Sequence, residues 1–279
     1  MAALKEGDQL KLAASRINRK YGWKPSLPSR TFPRLALTSY PPLATSASLV
    51  TTGFDPPIFD QGQTGSCTGH GSTRAIAYAR AKQGLPYIDL SRILTYWFAR
   101  VAEGTQPQDS GATVEDVIVA AQQFGDCPYT DYPTDPAMVT TPPSAQAVSD
   151  AIIHKALTAT RVWGANDVGL AYHVKHCISV LGLPVVFGFT VYESFESDAV
   201  ASSGIVPMPG SNEQSLGGHC TVAVAFDDNM TANGITGYAL VDNSWGPDWG
   251  QAGRFWMPYQ MIFNSQYSDD FHAITLEAA

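Results

Sequence analysis

The pattern of apolar residues changes its period near residue 182, and this change constrains the fold more than any other feature of the chain. Upstream, apolar side chains recur at helical spacing over 67–83, 91–102, 113–124, 145–157 and 167–181. Downstream, runs rich in β-branched and aromatic residues predict strands over 184–191, 220–227, 237–244, 254–257 and 273–277. Helices followed by strands predict an α+β protein with two lobes, helical over about 55–165 and β-rich over about 166–279.

Local signals mark the ends of several of these elements. Thr113 and Asp116 resemble a capping pair at the start of one helix, and Gly125 is suited to end it. The dipeptide Asn233–Gly234 lies between two predicted strands and favours a tight hairpin turn. These signals agree with the periodicity on either side of them.

Residues 1–54 are predicted to form an N-terminal arm, outside a single domain over 55–279. A short helix is expected within residues 1–20. The stretch 24–57 is rich in Pro, Ser and Thr, and its prolines cannot support a helix interior or a central strand. We expect this stretch to wrap the domain as an extended segment. The sequence leaves open whether the arm blocks a cleft or only supports the fold.

Composition excludes several classes of function. The formal charge of −8, with no cluster of Lys or Arg, argues against a nucleic-acid partner. No run of about 18 apolar residues could span a membrane. Residues 1–23 contain no apolar run typical of a secretory signal, so a cytoplasmic location is expected. The four cysteines match no disulfide framework or zinc pattern.

One of these cysteines has the context of a nucleophile. The segment DQGQTGSCTGHG places Cys67 between a glycine-rich loop and the start of a predicted helix. A helix N-terminus stabilises an anion, and the thiolate is the reactive form of cysteine. Gln61 lies six residues upstream, where the loop could carry its amide toward the sulfur. A buried, unreactive thiol is the alternative for this segment taken alone.

Two later segments supply the partners that a nucleophilic cysteine needs. His219 follows two glycines at the mouth of a predicted strand, and Asn243 lies near the end of another. The separations are 219 − 67 = 152 and 243 − 219 = 24 residues. Nucleophile, base and a third group that orients the base form a standard set for covalent catalysis.

Together these residues resemble the papain-like (C1) cysteine peptidases. The resemblance covers roughly residues 55–276 and rests on these motifs: Gln61–Gly62, Gly65–Ser66–Cys67, Gly218–His219, Asn243–Ser244–Trp245–Gly246 and Trp249–Gly250. Other stretches, among them YGWKPSLPSR and DSGATVEDVIVAAQQFGDCP, are similar to a prokaryote- and virus-type branch without a long inhibitory propeptide. The resemblance implies a helical left lobe and an antiparallel, barrel-like right lobe with the active-site cleft between them.

The resemblance also implies roles for individual residues. Cys67 would be the nucleophile, His219 the base and acid, Asn243 the orienting group and Gln61 part of an oxyanion hole. Trp245 would shield the His219–Asn243 hydrogen bond from water. Substrate would be bound at Ser110, Gly111, Gly218 and Trp245. The implied protein is a monomeric hydrolase that acts on peptide or protein substrates without cofactor or metal.

The sequence departs from the family pattern beside the nucleophile and the base. Thr68 replaces a common aromatic residue, Gly218 stands where Asn or Asp is usual, and Cys220 stands where Ala is usual. Two other functions stay open: a catalytically silent peptide-binding protein, and a ligase or transamidase that transfers the acyl group to an amine.

The remaining histidines are interpreted mainly as structural. His70 could tune the thiolate, but a packing role is favoured. His173, His176 and Cys177 share one predicted helix, yet zinc needs about four ligands and their spacing does not supply them. His154 and His272 have no companions in the sequence.

Overall fold

The structure is a computed structural model that describes residues 19–27, 32–50, 55–151 and 157–276. The short helix expected within residues 1–20 falls almost entirely outside these ranges. Seven α-helices are found in the described part of the chain: α1 (Cys67–Lys82), α2 (Leu94–Glu103), α3 (Val114–Phe124), α4 (Ala145–Ala151), α5 (Asp167–Ser179), α6 (Asp198–Ser203) and α7 (Tyr259–Ile262). Single 3-10 turns lie at Tyr129–Asp131 and Glu193–Glu196.

Seven strands form one antiparallel sheet: β1 (Ser46–Ser48), β2 (Leu157–Arg161), β3 (Val185–Tyr192), β4 (Ser215–Ala232), β5 (Ile235–Asp242), β6 (Arg254–Pro258) and β7 (Ser268–Leu276). Their order is β2-β7-β3-β4-β5-β6, and β1 pairs with β4 outside this path. The α+β class is confirmed. The sheet also contains β2, which lies in the span assigned to the helical lobe and pairs with β7.

The predicted end signals are confirmed where the structure describes them. The Asp116 amide donates to Thr113 Oγ1 at 2.9 Å, which caps α3. Asn233 and Gly234 both have positive φ, 51° and 75°, and they connect β4 to β5. A two-residue turn with both central φ angles positive matches the twist of a β-hairpin, which is why Asn–Gly was informative.

The buried residues form two hydrophobic cores. The smaller core packs α2, α3 and α4 around residues such as Tyr96, Trp97 and Tyr132. The larger core lies between the sheet and α1, which runs against β4. Helix α1 is buried over most of its length. Its first residue, Cys67, therefore lies where the helices meet the sheet.

The described parts of the arm pack against the domain. Strand β1 pairs with β4, and the adjacent Leu49 is buried in the larger core. Phe32 and Leu35 pack against the same core. The arm is thus part of the folded domain from residue 32 to residue 50. Among the described residues, no helix combines the length and the apolarity needed to cross a membrane.

Candidate active site

The candidate nucleophile is the first residue of α1 and is completely buried, with 0% exposure. Asp109 fixes the preceding turn, because its carboxylate accepts the Gly65 N–H at 2.9 Å. Tyr96 donates its hydroxyl to the same carboxylate at 2.8 Å. The position at the helix N-terminus provides backbone N–H groups that favour a thiolate.

The candidate base and orienter are hydrogen-bonded to each other. His219 on β4 and Asn243, which follows β5, are joined by a 2.8 Å contact between Nε2 and Oδ1. Since an amide oxygen only accepts, His219 Nε2 carries the proton in this pair. Asn243 Oδ1 also accepts the Ser244 N–H at 2.9 Å. His219 Nδ1 is buried and has no hydrogen-bond partner among the described residues, so it is the acceptor of the neutral ring.

Aromatic side chains enclose the imidazole. Trp245 stacks on His219 with ring centroids 5.0 Å apart and an interplanar angle of 28°. Phe189 meets the same imidazole edge-on at 5.7 Å, and Tyr21 from the arm does so at 6.3 Å. The histidine is 0% exposed. Water is therefore excluded from the His219–Asn243 hydrogen bond in this state.

The loop that carries Gln61 is fastened to the segment that carries Asn243. The Gln61 backbone N–H donates to the Ser244 carbonyl at 2.9 Å, and Ser244 Oγ donates to Gln61 Oε1 at 2.6 Å. Asp60 and Trp245 form an antiparallel bridge beside these bonds. The side-chain amide of Gln61 is oriented by this pairing, with Nε2 donating to the Thr64 carbonyl at 2.7 Å.

The arm lies directly over these residues. The amide nitrogen of Gln61 also reaches the Lys20 carbonyl at 3.3 Å. The Trp23 N–H donates to the Gly218 carbonyl at 2.9 Å, and the Ala112 N–H donates to the Gly22 carbonyl at 2.8 Å. Residues 20–24, here called the cleft segment, thus run across the site and are bound to it through main-chain hydrogen bonds. Trp23 and Ala112 form a parallel bridge.

Gly22 of the cleft segment packs closely against the nucleophile loop. A Cβ at residue 22 would lie 1.6 Å from the Gly65 carbonyl oxygen, a distance that no side chain could occupy. Gly111 is also tightly packed, since a Cβ there would lie 2.2 Å from the Gly22 carbonyl oxygen. Only glycine fits at residue 22 in this arrangement.

Burial also shifts the pKa values of the candidate nucleophile and base. Burial raises the pKa of the Cys67 thiol to about 11, and the N–H groups of Cys220, Gly22, Thr68 and Trp23 act in the opposite direction. Burial lowers the pKa of His219 to about 4, against the hydrogen bond to Asn243, which raises it. In this closed state at neutral pH the sulfur and the imidazole are therefore both uncharged.

A buried ionic network underlies the site and connects its two sides. Asp242 precedes Asn243 and accepts from Arg74 Nε at 2.5 Å and from Arg254 Nε at 2.7 Å. Arg74 belongs to α1, two turns beyond Cys67. Asp55 pairs with both arginines at 3.0 and 2.6 Å. The network joins the helix that carries the candidate nucleophile to the strand that precedes the orienter.

The predicted substrate-binding residues differ in their contacts with the cleft segment. Gly218 bonds to it through its carbonyl, and Trp245 lies against Tyr21 with ring centroids 6.5 Å apart. Gly111 touches it closely but donates its N–H to the Tyr96 hydroxyl at 2.8 Å. Ser110 instead donates its hydroxyl to Thr105 Oγ1 at 2.9 Å.

Sequence reasoning missed several residues that contact the cleft segment. They include Ala112, which pairs with its backbone, Asp109, which binds Lys20 at 3.0 Å, and Asp270, which binds Trp23 at 3.0 Å. A glycine inside a strand often marks the close approach of another chain segment. Gly188 in β3 and Gly218 in β4 were therefore the available signal. Nothing in the sequence around Asp109 and Asp270 indicated their contacts with the cleft segment.

His70 and His173 lie where packing explains them, whereas His154 lies outside the described residues. His70 is buried, its Nδ1 lies 2.9 Å from the Ser66 carbonyl oxygen, and burial lowers its pKa to about 3. His173 contacts the Trp163 carbonyl through Nδ1 and stacks on Tyr40. In the described ranges, no three His, Cys, Asp or Glu side chains are grouped as a metal would require.

The chain is similar in sequence and fold to known proteins. Residues 116–269 match the profile of the family described as papain family cysteine protease. An uncharacterized peptidase C1-like protein of Acanthamoeba polyphaga mimivirus is 35% identical over 218 residues, which are 77% of this chain and 68% of that protein. The profile match begins after Cys67, whereas the similarity to solved structures extends over most of the chain.

Two solved structures illustrate the range of that similarity. Xylellain, a cysteine protease from Xylella fastidiosa, is 30% identical, with a TM-score of 0.82 over 94% of this chain and 97% of that chain. Bromelain from Ananas comosus is 18% identical, with a TM-score of 0.60 over 84% of this chain and 100% of that chain, and supports the fold alone. The chain belongs to the papain family of cysteine proteases.

Proposed function

We propose that the chain hydrolyses peptide bonds through a thioester on Cys67, with His219 as base and acid and Asn243 as the orienting group. The hydrogen bond from His219 Nε2 to Asn243 Oδ1, at 2.8 Å, is the observation that carries the proposal. It leaves Nδ1 of the neutral imidazole as the atom that can take a proton from a thiol. Asn243 acts as a positioning residue, and the other two residues act on the reacting atoms.

The proposed reaction is acyl transfer to water. His219 takes the thiol proton, and the thiolate attacks a peptide carbonyl carbon. The Gln61 amide and the Cys67 backbone N–H stabilise the charge on the carbonyl oxygen. The C–N bond breaks as His219 returns the proton to the leaving amine. Water, deprotonated by the same imidazole, then attacks the thioester and releases the acid and the free thiol.

The closed cleft supports a further part of the proposal, that this state of the enzyme is latent. The Lys20 carbonyl lies 3.3 Å from the amide that would stabilise a substrate oxyanion. Cys67 and His219 both have 0% exposure while this segment is in place. A substrate therefore needs the cleft segment to leave. In its place, the Gly218 carbonyl and the backbone of 110–112 would bind the substrate main chain, with Trp245 covering the imidazole.

The test uses a fluorogenic peptide library and the intact chain, with and without a substitution that displaces the cleft segment. We expect cleavage that rises on displacement and disappears in Cys67→Ala. The matched control is Cys177→Ala, because Cys177 is also a buried free thiol but lies on α5. Absence of cleavage in a displaced, folded variant would overturn the proposal.

A binding function without chemistry has one observation in its favour, because the cleft already holds a segment of peptide. A displaced variant that binds labelled peptides, releases no product and resists a peptide epoxide would establish that alternative. Adding an excess of amine to the cleavage assay separates hydrolysis from acyl transfer. Hydrolysis gives only the free acid, whereas a transamidase gives the amide of the added amine.

A further inference from the structure

One peptide group connects Asp109 to the side chain of Gln61. The Thr64 carbonyl accepts Gln61 Nε2 at 2.7 Å. The N–H on the other side of the same peptide bond, that of Gly65, donates to Asp109 Oδ2 at 2.9 Å and to Oδ1 at 3.1 Å. Because a peptide group is planar, its C=O and its N–H can only turn together. The carboxylate therefore fixes the direction in which the Thr64 carbonyl meets the Gln61 amide.

The bond to Thr64 determines where the second N–H of Gln61 points. A side-chain amide has two N–H donors in fixed directions. In the closed state one reaches the Thr64 carbonyl and the other reaches the Lys20 carbonyl at 3.3 Å. The Lys20 carbonyl leaves with the cleft segment, and its place is then open to the carbonyl oxygen of a substrate. Ser244 Oγ holds the amide at Oε1, at 2.6 Å. A Thr64 carbonyl that turned away would leave the amide free to rotate about that bond.

Asp109 is itself held by the helical side of the site. Tyr96 on α2 is completely buried and donates its hydroxyl to Asp109 Oδ1 at 2.8 Å. Burial, together with the charge of Asp109, raises the pKa of Tyr96, so this hydroxyl keeps its proton. Lys20 lies 3.0 Å from Oδ2, but it is half exposed and belongs to the cleft segment. The bonds to Gly65 and Tyr96, by contrast, stay when the cleft segment leaves.

We propose that Asp109 is a positioning residue of the oxyanion hole, which directs the Gln61 amide at the developing negative charge through the peptide group of residues 64 and 65. The inference rests on the proposed peptidase function. In this role Asp109 acts through Gln61 and does not contact the reacting atoms. Its own negative charge would oppose a neighbouring oxyanion. The benefit therefore comes from the hydrogen bond that Asp109 accepts and not from its charge.

The test requires an open cleft that does not depend on Asp109. Trp23→Asp provides one, because an indole N–H that donates to Asp270 at 3.0 Å is replaced by a second carboxylate beside the first. In this background, Asp109→Ala should lower kcat about 10- to 100-fold with little change in KM, since the amide is still present but misdirected. Loss of the Lys20–Asp109 pair loosens the cleft segment further, so it cannot cause the fall.

A double-mutant cycle shows whether Asp109 acts through Gln61. Gln61→Ala removes the amide, and the direction of the amide then no longer matters. Adding Asp109→Ala to Gln61→Ala should therefore change kcat by no more than about twofold, the usual error of additivity. Two groups that acted independently would instead multiply their effects. The cycle also excludes a merely structural role, because damage to the fold would lower kcat in either background.

The conservative variant tests the hydrogen bond against the charge. Asp109 Oδ1 accepts from both the Gly65 N–H and the Tyr96 hydroxyl, so Asp109→Asn can keep both bonds without the negative charge. We expect Asp109→Asn to recover most of the kcat that Asp109→Ala loses. The matched control is Lys20→Ala, which removes the cleft-segment partner of the carboxylate. In the open background it should leave kcat unchanged.

Alkylation of Cys67 gives a readout that needs no oxyanion hole. The sulfur displaces iodide from the methylene carbon of iodoacetamide, so an S–C bond forms, a C–I bond breaks and no charge develops on a carbonyl oxygen. In the Trp23→Asp background, Asp109→Ala should leave this rate constant unchanged while kcat falls. A rate constant that falls in proportion to kcat would mean that Asp109 supports the nucleophile instead, and would overturn the inference.

A further loss of about 10- to 100-fold on adding Asp109→Ala to Gln61→Ala would also overturn it, as would failure of Asp109→Asn to recover activity. If Asp109→Ala does not fold, Tyr96→Phe repeats the cycle, because it removes the donor that holds Asp109 Oδ1. Failure of Trp23→Asp to cleave any peptide while its Cys67 is readily alkylated would refute the proposed function, and the inference with it. Cleavage with independent losses refutes the inference alone.

Discussion

Replacing Gly22 with alanine is expected to drive the cleft segment out of the site. The added Cβ would lie 1.6 Å from the Gly65 carbonyl oxygen and 2.5 Å from its carbon. Both atoms belong to the backbone of the turn before Cys67, which the Asp109 carboxylate holds at 2.9 Å. Neither the added Cβ nor the Gly65 backbone can shift by the ångström or more that would relieve this overlap. The cleft segment must therefore move away from the nucleophile loop.

The size of the effect follows from the bonds that such a movement breaks. Three main-chain hydrogen bonds hold the segment: Trp23 N–H to Gly218, Ala112 N–H to Gly22, and Lys24 N–H to Ala112, at 2.9, 2.8 and 3.1 Å. At about 0.5–1.5 kcal/mol each, their loss amounts to roughly 1.5–4.5 kcal/mol. The population of the open state should rise by about 10- to 2000-fold, since every 1.4 kcal/mol is about a factor of ten.

The assay is the second-order rate constant for alkylation of Cys67 by iodoacetamide, read by intact mass. Gly22→Ala should increase this rate constant by a factor in the same range, without loss of cooperative thermal unfolding. The control is Gly169→Ala at the start of α5, where an added Cβ meets nothing closer than 3.5 Å. A Gly22→Ala rate constant equal to that of the unmodified chain would refute the reasoning.

Three further predictions concern the site and its support. Gln61→Ala should lower kcat of an open variant about 10²- to 10³-fold with little change in KM, whereas the exposed neighbour Gln63→Ala should not. Asp242→Ala should lower the free energy of unfolding in urea by up to about 3–5 kcal/mol, because Arg74 and Arg254 lose the buried carboxylate they share and keep only the partly exposed Asp55, and the exposed Asp248→Ala should change it little. Because burial raises the pKa of Cys67 to about 11, its alkylation in the closed chain should rise steadily over about pH 6 to 9. A flat profile there would contradict that prediction, and a substitution that opens the cleft should flatten it.

The elements with strong local signals were predictable from the sequence. Helix α3 has a regular apolar face and a Thr113 cap, and the turn at Asn233–Gly234 has the dipeptide that the geometry needs. Strands β1 and β2 were not predicted. They have three and five residues, and they exist because β4 and β7 offer edges to pair with. A pairing partner far away in sequence leaves no local pattern.

The candidate site likewise contains residues that the sequence predicted and residues that it did not. Cys67, His219, Asn243 and Gln61 stand in short motifs that a single sequence reveals. The residues that occupy the cleft could not be predicted from such motifs, because Trp23 contacts Asp270, which lies 247 residues further along the chain. The arm was expected to wrap the domain, and whether it blocked the cleft could not be decided from its prolines. Gly188 and Gly218, both in strands, were the available hint of a close approach.

The most direct test of the whole account is to map where a peptide epoxide reacts. Gly22→Ala would be treated with a slight excess of reagent, digested, and analysed by mass spectrometry across all four free thiols. A single equivalent on Cys67, abolished by His219→Ala in a folded chain, is the predicted result. No adduct at all, or adducts spread over Cys127, Cys177 and Cys220, would contradict it.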